Sequence, residues 1–262
     1  MSSIKKYKIA FFLPSFRGGG SENILVELGN SFCRKNDYSI KFLVVEFTGP
    51  LVNKIDKNIE IIDFKKKSVF KSISNLIKYI RSQKPDVIIS SMTHCNLSLV
   101  IAKLLSLIKV KLILRECSSI DHLCPLSFKR PKSFLIRFLI KFLYKKADVI
   151  VSNSQDLAED LEKKFKLNNI ITIHNGYDID YIRKLSSEKI DLKFPKNIKT
   201  IITLARLSDQ KGLDTLIKAF KIAREKINCR LLILGEGSSL KELKNLTRTL
   251  NIEKNVLFLG YK

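Results

Sequence analysis

With 262 residues, 45% of them hydrophobic, the chain has ample material for a buried core, which excludes a disordered polypeptide. Its formal net charge of +23 implies an anionic partner or a solvated basic surface. Five scattered cysteines, Cys33, Cys95, Cys117, Cys124 and Cys229, exclude an evenly paired disulfide framework and are read as reduced thiols of a cytoplasmic protein without a secretory signal.

Apolar runs of strand length alternate with helix-period segments. Strands are predicted over Lys8–Leu13, Ile40–Val45, Ile59–Asp63, Asp86–Ser90, Lys111–Leu114, Asp148–Val151 and Ile170–Ile173. Three more follow a break, over Thr200–Leu204, Arg230–Leu234 and Val256–Leu259. Helices are predicted over Ser21–Arg34, Val69–Ser82, Leu97–Leu107, Ser133–Lys145, Gln155–Phe165, Gly212–Glu225 and Leu240–Leu250. Strict alternation implies parallel sheets with crossover helices, an α/β doubly wound architecture. The polar stretch from Ser186 to Lys199 reads as a linker between two Rossmann-like domains, residues 1–188 and 198–262, the second incomplete with three strands and an unpaired edge.

The first strand runs into Gly18-Gly19-Gly20-Ser21-Glu22 at the start of a helix. Such glycines permit close backbone approach to a ligand, and free helix N–H groups attract anions; a plain capping turn is the competing reading. The spacing is not the dinucleotide fingerprint, which disfavours a nicotinamide-dependent oxidoreductase. His94 follows the strand ending at Ser90, at a carboxyl edge where ligands of open sheets bind. Cys95, Cys117, His122 and Cys124 could join it only in a spacing that fits no standard zinc pattern, so no metal is expected. Arg115-Glu116 is either a simple ion pair or a partly buried polar pair beside the ligand edge.

From Lys65 to Lys146, 18 basic residues face three acids. Within this block, Arg137, Lys141 and Lys145 form a stripe on an otherwise apolar helix, which reads as core or as a basic amphipathic helix in a membrane interface. The apolar stretch 97–114 contains Lys103, Lys109 and Lys111 and is not a lipid-buried span. Charge without interleaved exposed aromatics or a recognition motif disfavours nucleic acid as the partner.

Asn175-Gly176 is a turn dipeptide closing the first half. In the second half, an apolar run stops at Arg206, and Lys211-Gly212 is expected to open a helix. A lysine at a helix N-terminus opposes the dipole, a local cost that a bound anion removes. The inferred guest is a diphosphate.

Taken in order, these motifs resemble the family 4 retaining glycosyltransferases of the GT-B fold. They are Gly18-Gly19-Gly20-Ser21-Glu22, Asn175-Gly176-Tyr177-Asp178, the stretch from Ala205 to Gly212, Leu231 to Gly237 and Val256 to Gly260. The resemblance implies a nucleotide-sugar donor, a glycan or lipid-linked acceptor, retention of configuration and no bound metal or cofactor. It implies that Arg206 and Lys211 hold the donor diphosphate and that His94 stands beside the transferred sugar. Gly18, Gly19, Gly20, Asn175, Gly176, Glu236, Gly237 and Tyr261 would complete the donor site. Work on surface polysaccharide or glycoconjugates would place the protein peripherally on the inner face of the cytoplasmic membrane, with an anionic lipid surface as a further partner.

The family's E-x(7)-E element would follow the last strand, beyond Lys262. The chain is therefore expected to be C-terminally truncated and weakly active or inactive as residues 1–262. The alternative function is an inactive remnant, or a subunit whose donor site a partner chain completes.

Overall fold

The computed structural model describes residues 6–123, 131–188, 195 and 197–260; for 122, 123 and 131 it describes the backbone alone. The chain forms two compact units, Met1–Asp178 and Ile179–Lys262.

In the first unit the order is β1 (Tyr7–Leu13), α1 (Gly20–Cys33), β2 (Tyr38–Val44), β3 (Glu60–Asp63), α2 (Ile73–Gln83), β4 (Val87–Ser91), α3 (Thr93–Ser106) and β5 (Lys111–Glu116). Then come α4 (Ile120–Leu123), α5 (Pro131–Leu143), β6 (Val149–Ser152), α6 (Gln155–Phe165) and β7 (Ile170–Thr172). The strands make one parallel sheet of order β3-β2-β1-β4-β5-β6-β7. The strand order reverses at β1, so the β1/β4 boundary is the topological switch point.

A central parallel strand is buried on both faces, and β1 shows it. Phe12 belongs to a core with Leu76, Ile80, Leu97 and Tyr144, while Phe11 belongs to another with Leu25, Val26 and Phe42. Continuous apolar runs rather than alternating ones are the expected signature. Helix α1 lies so close to β2 that a Cβ on Gly29 would come within 2.5 Å of the Phe42 ring, so a larger residue there would force the ring to shift.

The second unit holds α7 (Ile179–Ser186), β8 (Lys199–Leu204), α8 (Leu213–Lys226), β9 (Cys229–Leu234), α9 (Leu240–Thr249) and β10 (Val256–Gly260). Its parallel sheet has the order β10-β9-β8. Leu213, Ile217 and Phe220 of α8 and Leu243 of α9 pack with Cys229, Leu231 and Ile233 of β9. Edge strand β8 carries the exposed Ile201, Ile202 and Leu204, the last 76% exposed.

All ten expected strands form, within a residue or two of their predicted limits. Three local expectations change. Helix α3 begins at Thr93 instead of Leu97, which moves His94 from a loop into the first helical turn. Lys211 sits in a 3-10 turn, Asp209–Lys211, and α8 starts after Gly212, whose positive φ of 60° bends the chain into the helix. Helix α7, unforeseen in the sequence, occupies part of the region read as ending the first domain.

Candidate functional site

The candidate residues gather at the carboxyl ends of the strands in each unit. In the first, β1 leads to Gly18, whose φ is 92°, and Gly19 forms the N-cap of α1 with no side-chain capping bond. Such an end leaves backbone donors for a ligand. Glu22 folds back over this turn, so that a Cβ on Gly19 would lie 2.2 Å from its carboxylate. Gly20 has open space beside it. Arg17 is held in an exposed ion pair with Glu46 at 2.8 Å.

The turn from β4 to α3 is strained. Met92 takes φ 76° and ψ 136°, unusual for a residue with a side chain, and sits where a capping residue would stand. His94 follows immediately and is exposed, yet enough protein packs around its imidazole that desolvation lowers its pKa below 6.5. At neutral pH it is therefore an uncharged ring, able to donate and accept hydrogen bonds.

Beneath this turn lies a buried polar network that sequence reasoning largely missed. Glu116, 1% exposed at the end of β5, accepts from Tyr144 Oη (2.6 Å), Asn96 Nδ2 (2.8 Å) and Thr93 Oγ1 (3.2 Å). Asn96 Oδ1 accepts from Ser90 Oγ at 2.6 Å. Burial pushes the Glu116 pKa up to about 7, against these hydrogen bonds and the Arg115 charge, which favour the carboxylate. Tyr144 is raised well above 10, first by burial and then by Glu116.

Arg115, also buried, donates to Ser91 Oγ (3.2 Å), Cys117 Sγ (3.6 Å) and Asn175 Oδ1 (2.6 Å). Cys117 Sγ lies 2.9 Å from Ser21 Oγ, in the turn after the three glycines. The Arg115-Glu116 pair thus joins three separate motifs: the glycine turn, the strained turn before His94, and Asn175. The two side chains are buried polar groups at the carboxyl edge with separate hydrogen-bond partners, not an ion pair with each other. Apolar surroundings for Asn96 and Tyr144 were the available signal, since a polar group inside an apolar run needs a partner.

His174 Nδ1 lies 3.1 Å from the Asn153 carbonyl, while Gly176 has open space beside it. Cys95 is buried in the core, whereas His94 beside it is exposed. Cys124 and the His122 side chain lie outside the described residues. Among the described residues, no group of three His, Cys, Asp or Glu is placed to hold a metal.

In the second unit, Ala205 to Ser208 runs alongside Gly235 to Ser239. Leu207, fully buried, anchors the first segment, donating its N–H to the Glu236 carbonyl (2.9 Å) and accepting from Ser239 N (3.0 Å). A Cβ at Gly235, where φ is 128°, would fall 2.0 Å from the Ala205 carbonyl, and one at Gly237 would fall 2.2 Å from that of Leu207. Backbone contact this close admits only glycine. It fixes Arg206 and Glu236 on adjoining segments at one edge of the sheet. The Glu236 carboxylate lies beside Gly260, 3.8 Å from where its Cβ would be. Arg206 and Lys211 are exposed, and neither side chain has a hydrogen-bond or ion-pair partner among the described residues. Gly212 at the N-cap of α8 offers no capping side chain, and the Asp214 carboxylate in the first turn accepts from the Thr215 N–H. Tyr261 lies outside the described residues.

Two exposed cations without carboxylate partners, next to the glycine that starts α8, make an anion-receptive edge. Residues 18–181 match the family model described as Glycosyltransferase Family 4, and residues 186–262 match Glycosyl transferases group 1. The chain belongs to glycosyltransferase family 4.

Its fold is that of GT-B glycosyltransferases. The structure of Anabaena HepE in complex with UDP and glucose is similar, with a TM-score of 0.72 at 18% identity, over 98% of this chain and 70% of that one. An uncharacterized glycosyltransferase of Methanocaldococcus jannaschii is 32% identical over 222 residues, 80% of this chain and 53% of the relative. The Campylobacter jejuni N-acetylgalactosamine-N,N'-diacetylbacillosaminyl-diphospho-undecaprenol 4-alpha-N-acetylgalactosaminyltransferase is 35% identical over 155 residues, 58% of this chain and 40% of the relative. The chain spans about half the length of these two curated relatives.

Proposed function

We propose that this glycosyltransferase moves a sugar from a uridine-diphosphate donor to a lipid-linked glycan, with retention of anomeric configuration. The observation that carries the reading is the pair Arg206 and Lys211, exposed and without hydrogen-bond or ion-pair partners among the described residues, beside the start of α8. A guanidinium and an ammonium there meet the donor diphosphate and stabilise the negative charge that builds on the leaving nucleotide. Stabilisation of developing charge is commonly the largest catalytic contribution, and it requires no metal here. Gly237 and the Glu236 segment lie along the same edge for the nucleoside, with Tyr261 next in the chain.

In the first unit, neutral His94 hydrogen-bonds the transferred sugar. The Gly18–Gly20 turn meets donor phosphate or acceptor, and Asn175 is oriented by Arg115. Thr93, Asn96 and Glu116 are positioning residues that hold the strained turn carrying His94. UDP in the HepE complex supports the nucleotide, and the diphospho-undecaprenol acceptor in the Campylobacter relative's name supports a lipid-linked acceptor. The remnant or partner-completed subunit has no observation of its own in its favour.

The test is calorimetric titration of the chain with UDP-, GDP- and ADP-sugars. A bound donor is then incubated with a diphosphate-lipid-linked glycan and any product read by NMR. Preference for a UDP-sugar and an α-linked product from an α-linked donor are expected. Failure to bind any of the donors overturns the reading, and a β-linked product overturns retention.

A further inference from the structure

We propose that the buried Glu116 carboxyl group is a pH-sensitive switch for the turn that carries His94: loss of its proton draws Thr93 inward and reshapes the start of α3. This regulation belongs to the place beside the transferred sugar that the proposed function gives His94, and so rests on that reading.

The two carboxyl oxygens of Glu116 are served unequally. Oε1 accepts from Tyr144 Oη at 2.6 Å and from Asn96 Nδ2 at 2.8 Å, so both its lone pairs are used. Oε2 has Thr93 Oγ1 alone among the described residues, at 3.2 Å. A neutral acid suits this arrangement, because the Oε2 proton can be given to the Thr93 hydroxyl and no charge is left in the core. A carboxylate does not. It places charge on a buried Oε2 whose one donor stands well beyond the roughly 2.5–2.7 Å of a charge-assisted O–H···O⁻ bond. Arg115 makes no hydrogen bond to it, since its guanidinium donates to Ser91, Cys117 and Asn175.

Of the three donors, Thr93 has distance left to close. Tyr144 is fully buried, and the Asn96 amide is fixed at both ends, Oδ1 by Ser90 Oγ (2.6 Å) and Nδ2 by the Arg115 carbonyl (3.1 Å) as well as by Glu116. Thr93 opens α3 directly after Met92, whose φ of 76° is already strained. Strained turns at ligand sites are where two arrangements lie close in energy. His94 is next in the chain, so a shift of Thr93 is passed to its imidazole.

Near neutral pH, Glu116 is the member of this network that changes charge. Burial brings its pKa up to about 7. Tyr144, at the end of α5, and Cys95, on α3, are both raised well above their ordinary values, first by burial, and keep their protons. Glu22 of α1 bears on Cys95 from the other side. The neighbours on β4 and β6, Ser90, Ser91 and Ser152, carry no charge. Asp121, beyond β5, is held by Arg137 (2.6 Å) and Lys164. His94 has its pKa lowered by desolvation and is already uncharged when Glu116 titrates. Below about pH 7 the acid is neutral and Thr93 rests at its present distance; above it the carboxylate pulls the hydroxyl in.

The test follows the His94 imidazole by NMR from about pH 5 to about pH 9 in the 262-residue chain, with UDP titrated into parallel samples. A His94→Gln variant tells its signal from those of the other two histidines. Beyond its own titration, the parent's His94 signal is expected to show a second inflection near pH 7. Glu116→Gln keeps the shape of the neutral form and should abolish that inflection. Thr93→Val separates the titration from the turn. The Glu116 carboxyl carbon should still titrate, but the hydroxyl through which it acts is gone, and the second His94 inflection should vanish. An inflection that survives Thr93→Val is the direct field of the carboxylate and overturns the proposal, as does one that survives Glu116→Gln. A parent that binds UDP and lacks the inflection overturns the switch alone. A parent that shows the inflection and binds no UDP overturns the proposed function and leaves the switch standing.

Discussion

Arg115 and Glu116 show how a dipeptide acquires a role that its neighbours in sequence do not reveal. Each is buried and each binds partners far along the chain, Asn175 in one case and Tyr144 and Asn96 in the other. Arg115→Ala leaves the buried Ser91 Oγ and Asn175 Oδ1 without their guanidinium donor, and should cost about 1–3 kcal/mol in chemical denaturation. Glu116 has a folded-state pKa near 7, above its ordinary 4.5, so between those values the folded state binds more protons than the unfolded one. Its contribution to stability is therefore largest below pH 4.5 and declines as pH rises through about 7. Glu116→Gln removes that titration. The stability difference between variant and parent should move in the variant's favour by roughly 2–3 kcal/mol from pH 5 to pH 8. Denaturation curves at both pH values check this, and a pH-independent difference contradicts it. His94 opposes this trend, since its lowered pKa makes stability rise with pH below 6.5, but it is common to both proteins and cancels.

At the scale of elements, the glycines of the second unit set the ligand edge by backbone contact. Gly235→Ala forces a Cβ into the Ala205 carbonyl at a φ that L residues avoid, and should destabilise this unit by about 2–3 kcal/mol. Thermal unfolding followed by near-ultraviolet signals should show the loss, and an unchanged transition would contradict the contact. The strands were legible because strands buried on both faces need long apolar runs, as in Phe11-Phe12. The start of α3 was not. Thr93 to Asn96 reads as a polar loop, and only the far-off Glu116 explains why those side chains sit in a helix. Helix α7 went unread because it buries no residue, so its apolar positions serve no core within the described structure. Arg206 and Lys211 were legible as a pair, but their turn was not, since Gly212 adopts a left-handed cap that propensity alone does not specify.

Across the whole molecule, two parallel sheets each bring their candidate residues to the carboxyl ends of the strands, where an α/β protein offers helix starts and free backbone donors. The central claim is that Arg206 and Lys211 recognise a diphosphate. The most direct measurement compares the Kd for UDP with that for UMP, in the parent and in the Arg206→Ala, Lys211→Ala double variant. The β-phosphate adds charge that only a matched cationic pair rewards. The expected result is at least about tenfold tighter binding of UDP by the parent, collapsing to near equality in the double variant. A parent that binds UDP and UMP alike, or a double variant that keeps the preference, contradicts the account.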